Sequence, residues 1–315
     1  MKHHLEIDLS KIRVCKAAGR SSMVSKNIEA LPPFKGMTMA SFLDSLPVTL
    51  KAEDLKSIAR AMAAAKDKKK PVIAMIGGHV IKTGCSPVLN DLAKNGFITH
   101  FASNGSAAIH DTELARFGHT SEDVAAGLED GSFGMAEDTA ALVNGAALEA
   151  SINKQGFGQT IGSMLVREKA PFLDRAILAN AFMLDIPYTL HIAMGTDVVH
   201  QHPDADGAAI GDASMRDFRI FTSSVAQTGD GGVVLNFGSA VIMPEVFLKA
   251  LSIARNLGHD VRGFTTANFD MIQHYRPLVN VVKRPVLEGG RGFSITGHHE
   301  IMIPLLAAAV YEMAA

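Results

Sequence analysis

The sequence predicts an α/β protein with a mainly parallel sheet and helices on both faces. Three observations carry that prediction. Short apolar runs alternate with helix-like segments along most of the chain. Three of those runs end in polar turns rich in glycine: Gly77-Gly78, Asn104-Gly105-Ser106 and Gly238-Ser239. No repeat of 20–50 residues and no low-complexity linker interrupts the alternation.

The elements follow in order. Residues 1–50 are irregular, with a short alternating run at Leu5–Ile12 and a proline pair at Pro32-Pro33 that excludes a helix there. They read as an N-terminal arm that packs on the body or on a neighbouring subunit, and residues 51–315 read as one α/β domain. Lys51–Lys66 is helix-like, with Leu55, Ile58, Ala59 and Met62 on one face. Val72–Ile76 is a buried strand closed by Gly77-Gly78. Pro87–Asn95 is a helix, Phe97–Ala102 a second strand, and together they form a βαβ unit. Thr120-Ser121-Glu122-Asp123 starts a helix, and Asp138–Lys154 is an Ala-rich one. Gly156–Gly162 reads as a glycine-broken patch, Arg175–Met183 as a helix and Pro187–Ala193 as a strand. A polar loop, Gly195–Asp212, leads to a helix at Arg216–Ala226. Gly232–Phe237 is a strand, Glu245–Leu257 a helix and Val261–Thr266 a strand. A loop rich in His, Arg and Gly precedes a closing helix, Pro304–Met313.

Composition narrows the function. Hydrophobic residues make 47% of the 315 and charged residues 20%, ordinary values for a soluble globular chain. A net charge of −2 provides no bulk attraction to nucleic acid or to an anionic membrane. Cys15 and Cys85 are the only cysteines, so no disulfide framework is expected and a reducing cytoplasm fits. Met1-Lys2-His3-His4 runs into Glu6 and Asp8, unlike a signal peptide, and the apolar segment Ile301–Met313 is too short to span a bilayer.

Chemistry concentrates where ligands bind in such folds, outside the carboxyl ends of the strands. Gly77-Gly78-His79 lets backbone approach a ligand, although the next glycine is Gly84 and the pattern is not GxGxxG. Asn104–Asp111 (NGSAAIHD) brings an amide, a hydroxyl, an imidazole and a carboxylate together. His110 and Asp111 read as an acid/base pair, or Asp111 as a helix cap. His200 and His202 with Asp204 and Asp206 read as a ligand loop with no metal, since no third His or Cys is placed by the local spacing. His298-His299-Glu300 matches neither HExxH nor a triad, and GxSxG, P-loop and CxxC patterns are absent.

GGHVIKTG, ASNGSAAIHD, DGAAIGDAS, LNFGSAVI, TTANFD and PLLAAAVYE occur in that order. This succession resembles deoxyhypusine synthase, and also related regions of archaeal ornithine cyclodeaminase-type proteins. The resemblance covers about residues 70–312 and is similar to a separate bacterial branch. It implies a Rossmann-like sheet binding NAD, and a homo-oligomer, a tetramer of pairs that share active sites. The two glycine turns read from their own residues as cofactor contacts, Gly77, Gly78, His79, Asn104, Gly105 and Ser106, and the resemblance adds Asp206, Gly207, Gly238, Ser239 and Asn268. His110 and Asp111 stand where the family has an acidic pair for a polyamine, and Lys283 stands near its imine-forming lysine. The family's lysine follows a tryptophan, and this chain has none. The expected function is an NAD-binding enzyme acting on a small amine or amino acid, distinct from a true deoxyhypusine synthase. The alternative is a non-catalytic ligand sensor on the same fold.

Overall fold

Val72–Ile76 and Val233–Phe237 are strands without a single exposed residue, as expected in a parallel sheet covered on both faces. A computed structural model describes residues 3–314. The elements up to the second strand are helices α1 (Met39–Ser45) and α2 (Leu50–Asp67), strand β1 (Val72–Ile76), helices α3 (Gly78–Lys82) and α4 (Ser86–Lys94), and β2 (His100–Asn104). Next come α5 (Gly105–Phe117), α6 (Val124–Asp130), α7 (Glu137–Asn153), α8 (Phe157–Arg167), α9 (Ile177–Met183) and β3 (Tyr188–His191). The rest is α10 (Gly207–Ala226), β4 (Val233–Phe237), α11 (Ile242–Asn256), β5 (Thr265–Asp270), α12 (Tyr275–Pro277), β6 (Arg291–Thr296) and α13 (His299–Met313).

The six strands form one sheet in the order β3-β2-β1-β4-β5-β6, and every neighbouring pair is parallel. Strand order reverses between β1 and β4, the switch point where open α/β sheets place ligands. Alternate residues of β1 serve opposite layers. Ile73 and Met75 join Phe221, Met243 and Phe247 of α10 and α11. Val72, Ala74 and Ile76 join the larger core, which includes Ile58 and Met62 of α2 and Ile303 and Leu306 of α13. No helix among the described residues is long and apolar enough to cross a membrane.

Several expectations need correction. The glycine patch at 156–162 is the start of α8, because Gly158 and Gly162 lie directly on the carbonyls of Tyr188 and Leu178. The polar stretch after Asn104 is helix α5, and Asp206 starts α10 ten residues before the expected helix. The strand expected at Val261–Thr266 is β5 at Thr265–Asp270. Its polar residues are satisfied internally: Asn236 Nδ2 donates to Asn268 Oδ1 at 2.7 Å, and Thr266 Oγ1 to the Val281 carbonyl at 2.7 Å. Strand β6 occupies a stretch expected as loop.

Residues 3–41 contain no buried side chain. Among the described residues, Leu43 of α1 is the first to enter the core.

Candidate functional site

Ile76 pairs with Ser103, so the residues that follow β1 and β2 emerge side by side. Gly77 and Gly78 are glycines because neighbours occupy the space a side chain needs. A Cβ on Gly77 would stand 2.7 Å from the Gly238 carbonyl oxygen. One on Gly78 would overlap Ser106 Oγ and stand 3.2 Å from His110 Cδ2. The expected convergence of these two segments is therefore a direct contact, made by helix α5. Asn104 caps that helix, its side-chain oxygen accepting from Ala107 N–H at 3.3 Å.

Helical spacing puts His110 and Glu113 on one face. His110 Nδ1 lies 2.7 Å from Thr120 Oγ1, and the Thr120 hydroxyl donates to Glu113 Oε2. A hydroxyl carries one proton, so Thr120 accepts from His110 Nδ1–H. The ring's other nitrogen, Nε2, is then the free acceptor. Thr139 donates to the second Glu113 oxygen at 3.3 Å. Burial disfavours the Glu113 charge, yet His110, Thr120 and Thr139 together hold it below the usual carboxylate value.

A cavity of about 240 Å³ opens beside this relay. Three carboxylates, Glu113, Glu122 and Asp197, line it together with Ser106, His110 and one cation, Lys82, so acidic groups outnumber basic ones on its wall. Asp197 reaches it from the loop after β3. Its carboxylate lies on the Cα of Gly105, and its Oδ2 has no hydrogen-bond partner. Burial raises its pKa, against the pull of His200 and Thr196. Gly105 is therefore covered, and an anion cannot rest on the α5 N-terminus beside Asp197.

The other expected residues separate. Asp111 faces away from the cavity and is fully buried; its two oxygens accept from Ile177 and Leu178 N–H at 2.9 and 2.8 Å. It is a cap for α9, and burial pushes it up to about 7 although both N–H groups oppose the shift. Lys283 is exposed. Its neighbours Val281 and Val282 touch Thr266 and Gly292, second residues of β5 and β6, so it sits at the amino end of the sheet. Within one chain it cannot join His110. Asp206 is exposed and caps α10, accepting from Ala208 and Ala209 N–H, with Gly207 as the first helical residue. His200 Nδ1 accepts from Gly195 and Asp197 N–H, and His202 Nε2 meets the Gly134 carbonyl, so the two rings turn to different partners.

Gly238, Ser239 and Asn268 stand at the switch point. Gly238 has φ +70°, and a Cβ there would lie 2.5 Å from His299 Nε2. Ser239 Oγ accepts from Met243 N–H, while Asn268 links Asn236 to Gln273 beneath. His79 and His299 face each other with ring centroids 5.9 Å apart. Burial lowers the His299 pKa, with Asp270 opposing.

Residues 56–188 match the family model described as the Rossmann fold of the C-terminal region of ArgZ-like arginine dihydrolase. The chain has a Rossmann fold. It is similar to a conserved LOR/SDH-type protein of Methanococcus maripaludis S2, with 18% identity, TM-score 0.52, and 84% of this chain and 70% of that one covered. It is similar to AgrE, solved with ornithine and NAD+, at 12% identity and TM-score 0.53, covering 85% of this chain and 34% of AgrE. It thus spans about a third of AgrE. A proposed deoxyhypusine synthase of Entamoeba histolytica aligns over 90% of this chain and 96% of its own, at 11% identity and TM-score 0.50. At these identities the likeness is one of fold, and it includes the deoxyhypusine synthase-like fold that the order of motifs resembles. A search of proteins of curated function gives no match.

Glu113, Thr120, Glu122, Asp197 and His299 were not singled out as site residues by the sequence. Reading Asn104 as a helix cap exposes the His110–Glu113 spacing. Nothing local in the sequence points to Asp197.

Proposed function

We propose that this chain binds a nicotinamide dinucleotide at the carboxyl ends of β1 and β4, and acts on a small amine or amino acid beside His110. The observation that carries the reading is the imidazole of His110, which lines the cavity and is held through Nδ1 by Thr120 and Glu113. AgrE, which shares the fold, was solved with ornithine and NAD+.

The switch point between β1 and β4 fits such a cofactor. Gly77, Gly78 and Gly238 let the strand ends pack closely on the Gly238 carbonyl, Ser106 and His299, and His79 stands exposed beside them. Gly105 does not fit, because a phosphate there would meet the Asp197 carboxylate. When bound, the nicotinamide ring supplies a hydride acceptor. Asp197 and Glu122 offer charge to a substrate ammonium, and His110 Nε2 takes a substrate proton. Glu113 stabilises the imidazolium through Thr120, as an orienting carboxylate does for a histidine base. Transfer to a protein lysine is not part of the proposal: tryptophan is missing and Lys283 lies at the far end of the sheet. That absence also favours a second reading, a ligand sensor without turnover.

Rapid-mixing absorbance in the reduced-nicotinamide band, with NAD and a panel of amines including ornithine, tests the proposal. Cofactor reduction with one amine is expected, lowered about 10²–10⁴-fold in His110→Gln with ligand affinity retained. Tight amine binding with no transient reduction supports the sensor instead.

A further inference from the structure

The outer flank of the sheet carries a second and larger cleft, of about 430 Å³, within the range of small-molecule sites. Leu114, Phe117, Phe172 and Pro87 form its apolar wall, and Ser86 and Arg175 are among its polar groups. Ser86 opens the nine-residue helix α4. It is only 2% exposed, yet its Oγ has no hydrogen-bond partner. Buried hydroxyls are nearly always partnered. The helix start beside it favours negative charge.

Arg175 is brought to this edge by two contacts. Asn90, one turn beyond Ser86 on α4, donates to the Asp174 carbonyl at 3.3 Å. Gly118, at φ +72°, has no Cβ to keep Phe172 off the end of α5; one there would stand 2.9 Å from the ring. The Arg175 guanidinium pairs with the exposed Asp174 at 3.0 Å, the kind of surface pair that contributes little and is readily exchanged.

We infer that this cleft binds a small carboxylate with an aromatic or branched apolar body. The carboxylate takes Arg175 and the Ser86 hydroxyl, and the body lies against Leu114, Phe117 and Phe172. A cation would meet Arg175. A neutral apolar molecule would leave Ser86 unpartnered, and a bare inorganic anion would leave the apolar wall uncovered. The inference does not depend on the chemistry at His110.

The test is calorimetric titration of the intact protein with phenylacetate, with phenylacetamide and acetate as controls. Saturable phenylacetate binding is expected, with both controls weaker by about tenfold or more. Arg175→Gln and Ser86→Ala should each weaken phenylacetate by about fivefold or more, with unchanged circular dichroism. Ser86→Ala also removes an unpartnered hydroxyl, so its melting temperature should not fall. Absence of saturable binding, equal binding of the amide, or unchanged affinity in either variant overturns the inference.

Discussion

A threonine has one proton to give, and at Thr120 it goes to Glu113. That single fact orients His110 and leaves Nε2 as an acceptor, while its chain neighbour Asp111 points inward and caps α9. Adjacent residues on a helix diverge by about 100°, so a His-Asp pair in sequence is rarely a pair in space. Two other histidines show the energetic side of burial. His100 bridges Ser224 and Thr189 at 2.8 and 3.0 Å, and His191 meets the same Thr189 at 3.1 Å. Burial lowers both to about 3, with the charge of His100 adding to the effect at His191. Their unfolded value is about 6.5. The neutral rings therefore contribute stability that is complete above about pH 6.5 and is lost as pH falls toward 3. Between about pH 6.5 and 5 each of these rings lowers the unfolding free energy by up to about 1.4 kcal/mol per pH unit, while the buried Asp111 and Asp217, both raised to about 7, act in the opposite direction. Denaturant unfolding at several pH values should show the histidine part as a difference in slope: as pH falls from about 6.5 to 5, the double variant His100→Gln, His191→Gln should lose less stability, or gain more, than wild type. An unchanged slope in the double variant assigns the effect elsewhere.

At the scale of elements, α8 sets two effects of opposite sign against each other. Alanine is a better helix former than glycine by about 1 kcal/mol. A Cβ on Gly158, however, would enter the Tyr188 carbonyl, and overpacking of this kind costs about 1–3 kcal/mol. The contact should win, so Gly158→Ala should lower stability in urea unfolding; a gain would show that β3 can yield. The same residue explains why the sequence was only partly legible. Strands β1 and β4 and helices α7 and α11 follow from apolar runs and Ala-rich or amphipathic periodicity, because burial alone shapes them. Helix α8 was hidden because its glycines serve close packing, which imitates a loop. Strand β5 was displaced because Thr266 and Asn268 are satisfied inside the sheet, while the apolar Val261 packs from a loop. Of the site, the contact between Gly78 and the start of α5 was legible from parallel neighbours. Asp197 was not, because its approach to Gly105 is tertiary.

The whole molecule leaves one region without a core. Leu5, Ile7, Val14 and Met23 are each at least 85% exposed, although isolated proteins seldom display such a run of large apolar side chains. We propose that another copy of the chain covers this arm in a homo-oligomer. Light scattering should give a multiple of 33.5 kDa, and removal of the arm through Met37 should lower the multiple while the sheet still folds. A wild-type monomer at micromolar concentration contradicts it. The account as a whole rests on a cofactor at the ends of β1 and β4. Calorimetric titration of NAD, NADP and adenosine nucleotides into wild type and Gly78→Val addresses that most directly, with circular dichroism as the folding control. The account predicts saturable binding of a nicotinamide dinucleotide to wild type. It predicts loss of that binding in Gly78→Val, whose side chain would collide with Ser106 and crowd His110. A wild-type protein that binds none of these nucleotides, or a valine variant that binds as wild type does, contradicts it.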